Sequence, residues 1–133
     1  MLDEEETIEF RDIIGMMVTK YQNEIQSRFI SESEEKLFHL VQYFEALIGK
    51  TSFPRNNCNA PMVSAVITST GIVQPCYFLS SFGNVKKEPF PTLLNNERIV
   101  STRKNVRSYS LDRCKTCVCT LHVGAFNALA DRF

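Results

Sequence analysis

The stretch CNAPMVSAVITSTGIVQPCYFL, residues 58–79, holds two β-prone runs, Met62–Thr68 and Ile72–Leu79, on either side of Ser69-Thr70-Gly71. Branched and apolar residues suit a pleated, half-buried surface, and Gly71 can take a positive-φ turn position. The stretch therefore predicts a β-hairpin. Cys58 stands just before the first run and Cys76 lies on the second, so a hairpin would bring both thiols to one end. Downstream, Gly83-Asn84 marks a further turn, and Pro89 and Pro91 precede a helix expected over about 92–106. Cys114, Cys117 and Cys119 then fall in a tight loop, followed by a short apolar tail, Val123–Leu129. Upstream, Phe53-Pro54-Arg55-Asn56-Asn57 reads as a link, and the chain divides near Gly49.

The first part is helical. Phe10, Ile13, Ile14, Met17, Val18, Tyr21 and Ile25 recur at three- and four-residue steps, which places them on one helical stripe. Acids at positions 3–6 suit the positive end of that helix's dipole. A second helix is delimited by capping-box spacing at Ser31-Glu32-Ser33-Glu34, an apolar stripe of Leu37, Leu40, Val41, Phe44, Leu47 and Ile48, and a stop at Gly49. Between the two, Glu24–Ile30 has room for a short strand. Two amphipathic helices cannot cover each other's stripe and also close a core, so they are expected to dock on the second part or on structure beyond this chain. His39, beside the second stripe, reads as a helix-surface residue, and no catalytic constellation appears here.

Composition narrows the class. The chain has 133 residues, 44% of them apolar, which fits a single globular domain. Its apolar runs fall far short of the roughly 20 residues needed to span a bilayer, and its start is acidic where a signal peptide is basic and then apolar. A cytoplasmic location is the expectation. Formal net charge is zero but lopsided: residues 1–49 carry eleven acids and four bases, and residues 50–133 the reverse. The basic part holds all five cysteines and is expected to surround something anionic.

In a reducing compartment five cysteines point to metal binding rather than to disulfides. Cys114-Lys115-Thr116-Cys117 has the two-residue spacing that lets neighbouring thiolates grip one centre, and the hairpin adds Cys58 and Cys76. Zinc and iron–sulfur clusters both accept four thiolates. Zinc ribbons usually pair two short Cys-x-x-Cys knuckles, whereas seventeen residues separate Cys58 from Cys76. A wide gap suits a cubane, which presents its irons at corners. An oxidised four-iron cluster on four thiolates carries a charge of about −2. Arg98, Arg103, Lys104, Arg107, Arg113 and Lys115 could offset it against one acid, Asp112.

Cys58-x12-Gly71-x4-Cys76, then Gly83-Asn84, Asn95-Asn96-Glu97-Arg98 and Cys114-x2-Cys117, resemble the auxiliary-cluster domain that follows the barrel of many radical SAM enzymes, in its SPASM form and its shortened twitch form. The resemblance is close over residues 50–121, while residues 1–49 look like the last elements of the preceding barrel. It implies an α+β fold: a helical segment over 1–49, then a β-hairpin-plus-helix cluster-binding domain over 50–133. It also implies one [4Fe-4S] cluster on Cys58, Cys76, Cys114 and Cys117, serving electron transfer, substrate binding or fold support. Cys119 is left over as a buried thiol beside the cluster, with exchange for Cys117 as the alternative, and His122 is a bystander. Met62 stands where the family often has an aromatic residue.

One departure from the pattern matters. No Cys-x3-Cys-x2-Cys occurs in these 133 residues, so the chain by itself is not expected to bind or cleave SAM, and a barrel-bearing radical SAM partner or self-association is expected instead. The alternative is a four-cysteine zinc module that binds a partner through its basic part. Nucleic acid is not an expected partner, since the aromatic–basic interleaving of base-stacking surfaces is missing, nor is a membrane, given the short apolar runs.

Overall fold

The computed structural model describes residues 1–119 and 121–124. The chain forms two compact units, Met1–Arg55 and Asn56–Phe133. The first is helical; the second combines a small antiparallel sheet with helices, so the fold is α+β.

In the first unit, α1 (Glu4–Lys20) begins at a complete capping box. Asp3 Oδ1 accepts from the Glu6 N–H at 2.9 Å, and Glu6 Oε2 accepts from the Asp3 N–H at 2.9 Å, which satisfies two otherwise free donors. Helix α1 packs on α3 (Glu34–Leu47), with the Phe10 and Phe44 rings edge-on at 5.6 Å. The inward line of α1 runs Thr7, Phe10, Ile14 and Val18, at steps of three and four. Ile13 and Met17, one position off that line, are exposed, so the expected stripe is only partly covered. Arg11–Glu45 ties the same helices from the outside, and Lys50–Glu4 ties the chain just after α3 to the start of α1, both at 2.6 Å. Being exposed, such pairs contribute at most about 1 kcal/mol each.

Two expectations are corrected here. Glu24–Ile30 is not a strand: α2 (Gln22–Gln26) runs into a tight turn in which Arg28 takes φ 61° and the Ile30 N–H reaches Glu24 O at 3.0 Å. Local carbonyls satisfy that backbone, leaving nothing to pair with a neighbouring strand. The cap of α3 lies two residues later than the Ser31–Glu34 box. Ser33 Oγ accepts from the Lys36 N–H at 3.3 Å, and with Lys at that position no carboxylate reaches back. The helix does stop at Gly49, which takes φ +78°. The Gly49 and Lys50 N–H groups bond Ala46 O and Glu45 O, the paired closure that a left-handed glycine allows.

The second unit opens with a helical turn, α4 (Ala60–Val63), so the first β-prone run is shorter than expected. Ala60–Val63 turns because Pro61 near its start fixes a helical φ. Three short strands follow: β1 (Val66–Ile67), β2 (Ile72–Gln74) and β3 (Gly83–Asn84), antiparallel in that order. Val66 lies opposite Gln74, and Val73 opposite both Ile67 and Gly83. The hairpin thus exists, with Gly71 at φ +85° in its turn. Gly83-Asn84, expected as a turn, is a third strand instead. Asn84 secures it by donating to Thr70 O at 3.2 Å and accepting from the Lys86 N–H at 2.8 Å.

The expected helix over 92–106 is two elements. A turn, α5 (Phe90–Leu93), follows Pro89, and α6 (Glu97–Arg107) starts at Asn96, whose Oδ1 accepts from the Ile99 N–H at 3.1 Å. Asn96 Nδ2 also donates to Phe82 O at 2.7 Å, pinning α6 to the sheet. Val73, Phe82, Leu93 and Ile99 form the core between them. Beyond α6, Tyr109 turns the chain at φ 55° into α7 (Asp112–Lys115). Most of the apolar tail Val123–Leu129 lies outside the described residues.

Candidate metal centre

Three separate pieces of backbone deliver the thiols. Cys58 lies in the irregular segment just before α4, eight residues ahead of β1 rather than directly before it. Cys76 is not on a strand. Pro75 has no N–H to continue a ladder, so β2 ends at Gln74 and Cys76 sits in the bend beyond, bridged by Gln74 Nε2 donating to Leu79 O at 3.3 Å. Cys114 is on the single turn of α7, not in an open loop, and Cys117 follows two residues after that turn ends.

All five cysteines line one cavity of about 60 Å³, together with Ala60, Pro61, Phe78, Leu79, Val106 and Leu121. Since roughly 10–15 Å³ on this measure admits one water, the space exceeds what a single ion fills. Cys58, Cys76, Cys114 and Cys117 are half-buried. Cys119, expected to be buried, is exposed, although it too borders the cavity. His122 is exposed and does not line the cavity, and His39 is half-buried on α3.

Burial pushes the Cys114 thiol above its ordinary value, and Cys117, Cys76 and Cys58 add to the rise, in that order. Cys117 is raised as well, chiefly by burial. A backbone hydrogen bond at Cys119 works against this, and the charges of Cys119, Cys76 and Cys58 add to it. The larger cause is burial, which disfavours the charged thiolate, and repulsion between thiolates sharing the same apolar space adds to it. A cationic centre is what makes four of them compatible, and this donor set fits a thiolate-bound cluster. Arg113 also borders the cavity, its guanidinium 5.3 Å from the centre of the Phe78 ring.

Among the described residues no group of three or more His, Cys, Asp or Glu side chains is placed to hold a single metal ion. A single tetrahedral ion draws its ligands to about 2.3 Å from one point.

Sequence reasoning passed over two residues beside Cys58. Asn56 donates through Nδ2 to the Cys117 carbonyl, and Asn59 bonds the chain near Val123. Asn56 falls in the Phe53–Asn57 stretch that reads as a link, and Asn59 directly follows the first cysteine, so only the run of amides about Cys58 hints at these contacts.

Residues 58–118 match the SPASM family, described as an iron–sulfur cluster-binding domain. The matched span opens on Cys58 and closes one residue after Cys117. No curated protein and no solved structure matches the chain.

Proposed function

We propose, from the match of residues 58–118 to the SPASM iron–sulfur cluster-binding family, that the chain holds one auxiliary [4Fe-4S] cluster on Cys58, Cys76, Cys114 and Cys117, as an accessory part of a radical SAM system. The observation that carries this is the convergence of these four thiols, from three distant pieces of backbone, on one largely apolar cavity wider than a single ion needs. When bound, such a cluster supplies a one-electron relay or a rigid anchor for substrate and fold. The residues do the rest. The sheet and α6 fix the direction of approach, the apolar wall limits water, and Arg113 offsets negative charge.

The helical unit resembles the end of a radical SAM barrel. Its exposed Ile13, Met16 and Met17 support association with a barrel-bearing partner or with a second copy. No described helix is long and apolar enough to cross a membrane, and a cytoplasmic setting suits thiols that must stay reduced.

Protein reconstituted with iron and sulfide in the absence of oxygen is expected to turn brown and to hold about four iron and four sulfide per chain. A colourless protein with one zinc per chain would sink this proposal in favour of the zinc module. With all four cluster corners held by thiolate, the reduced chain alone is expected to make no 5′-deoxyadenosine from SAM. Stoichiometric release by the isolated chain would overturn the accessory role.

A further inference from the structure

Two amides beside Cys58 make contacts that the ligand set by itself does not explain. Asn56 is 8% exposed, and its Nδ2 donates to the Cys117 carbonyl. Oδ1 of the same amide is buried without a hydrogen-bond partner. An unpaired buried acceptor is unfavourable, so a residue kept only for packing would be better served by an apolar side chain. The amide is there for its donor. Asn59 makes three bonds to the chain beyond the last cysteine. Its backbone N–H reaches Leu121 O at 2.8 Å, Nδ2 reaches Val123 O at 2.8 Å, and Oδ1 accepts from the Val123 N–H at 3.0 Å. Asn56 and Asn59, on either side of Cys58, therefore hold Cys117, Leu121 and Val123.

We propose that Asn56 and Asn59 are positioning residues that hold Cys117 beside Cys58 before any metal arrives, so that half of the donor set is assembled in the empty protein. The inference rests on the cluster-binding proposal above. Four hydrogen bonds, one from Asn56 and three at Asn59, hold the chain at Cys117, Leu121 and Val123 with no metal needed. Cys76 and Cys114 do not depend on the clamp. Cys76 is set by the bend after β2, and Cys114 by α7, whose Cys114 N–H bonds Leu111 O at 3.0 Å. Losing the clamp therefore frees one side of the cavity and leaves the other in place. Outer contacts that orient ligands in this way commonly govern how readily a metal is taken up.

The test uses the whole chain, metal-free and reduced, alkylated with iodoacetamide under native conditions, with the rate read at each cysteine by mass spectrometry. Asn59→Ala is expected to raise the rate at Cys117 by roughly tenfold, the effect of losing two net hydrogen bonds from a local opening equilibrium, with Cys76 and Cys114 nearly unchanged. Asn59→Asp keeps the acceptor for the Val123 N–H and is expected to restore part of the protection. Asn56→Ala, which removes the bond to the Cys117 carbonyl, is expected to act at the same cysteine. An unchanged rate at Cys117, or an equal rise at all the cysteines, overturns the proposal, the second outcome showing only a general loss of structure. Iron enters nowhere in this readout. Selective labelling in a chain that takes up no iron would sink the cluster and leave the clamp standing; a brown wild-type protein with unselective labelling would do the reverse.

Discussion

Replacing Cys58, Cys76 or Cys114 with Ala is expected to reduce cluster loading by more than about tenfold, a larger loss than outer-shell changes usually cause. Each of these thiols arrives on its own piece of backbone: the approach to α4, the bend after β2 and the turn of α7. No other cysteine lies within two residues of any of them, and the spare thiol that borders the cavity, Cys119, is exposed and sits beside Cys117. Cys117 differs. Cys119 is two residues away and borders the same cavity, but it is exposed, while the Cys117 backbone is pinned by Asn56. Cys117→Ala is therefore also expected to cripple loading, and Cys119→Ala to leave it largely intact. Iron and sulfide content of the reconstituted variants, beside their visible spectra, decides the matter. If Cys119→Ala loses the cluster while Cys117→Ala keeps it, the fourth ligand is Cys119.

Leu93→Ala is expected to destabilise the second unit by about 2–5 kcal/mol, the range for deleting a buried leucine side chain. Leu93 is 0% exposed and packs among Val73, Phe82 and Ile99, where α5 meets the sheet. A small domain has only about 5–15 kcal/mol in total, so this loss should lower cluster uptake although no ligand is touched. Gly83 provides the complement. A Cβ at that position would overlap the Leu93 side chain, so Gly83→Ala is expected to cost about 1–3 kcal/mol by overpacking. The two changes act on the same space. The double variant should therefore be less destabilised than the two single losses combined, by at least about 0.5 kcal/mol. Urea unfolding of the metal-free chains measures all three, and strict additivity would refute the direct contact between Gly83 and Leu93.

Local signals were reliable where the cause was local. Gly49 stops α3 because its own positive φ closes the helix, and Gly71 turns the hairpin for the same reason. Where a choice between neighbours mattered, sequence was weaker. Ser31 and Ser33 both offer a cap, and the structure uses Ser33. Ile13 and Ile14 both fit an apolar stripe, and only the packing against α3 selects Ile14.

By itself the sequence determined the class of the chain, α+β, and the likeness of residues 58–118 to an iron–sulfur cluster-binding family, since cysteine number and spacing are properties of the string. It also determined the two helical stripes and the hairpin, because periodicity and turn glycines act over a few residues. Only the tertiary structure decided that Gly83-Asn84 is a strand. A two-residue segment becomes one when Ile72 and Val73 lie beside it to pair with. It likewise decided that five thiols share one cavity, and that Asn56 and Asn59 join the segment around Cys58 to the chain after Cys117. Those bonds link residues more than sixty positions apart. No local pattern encodes such a contact, because its partner is chosen by how the sheet and α6 pack, not by neighbours in the chain.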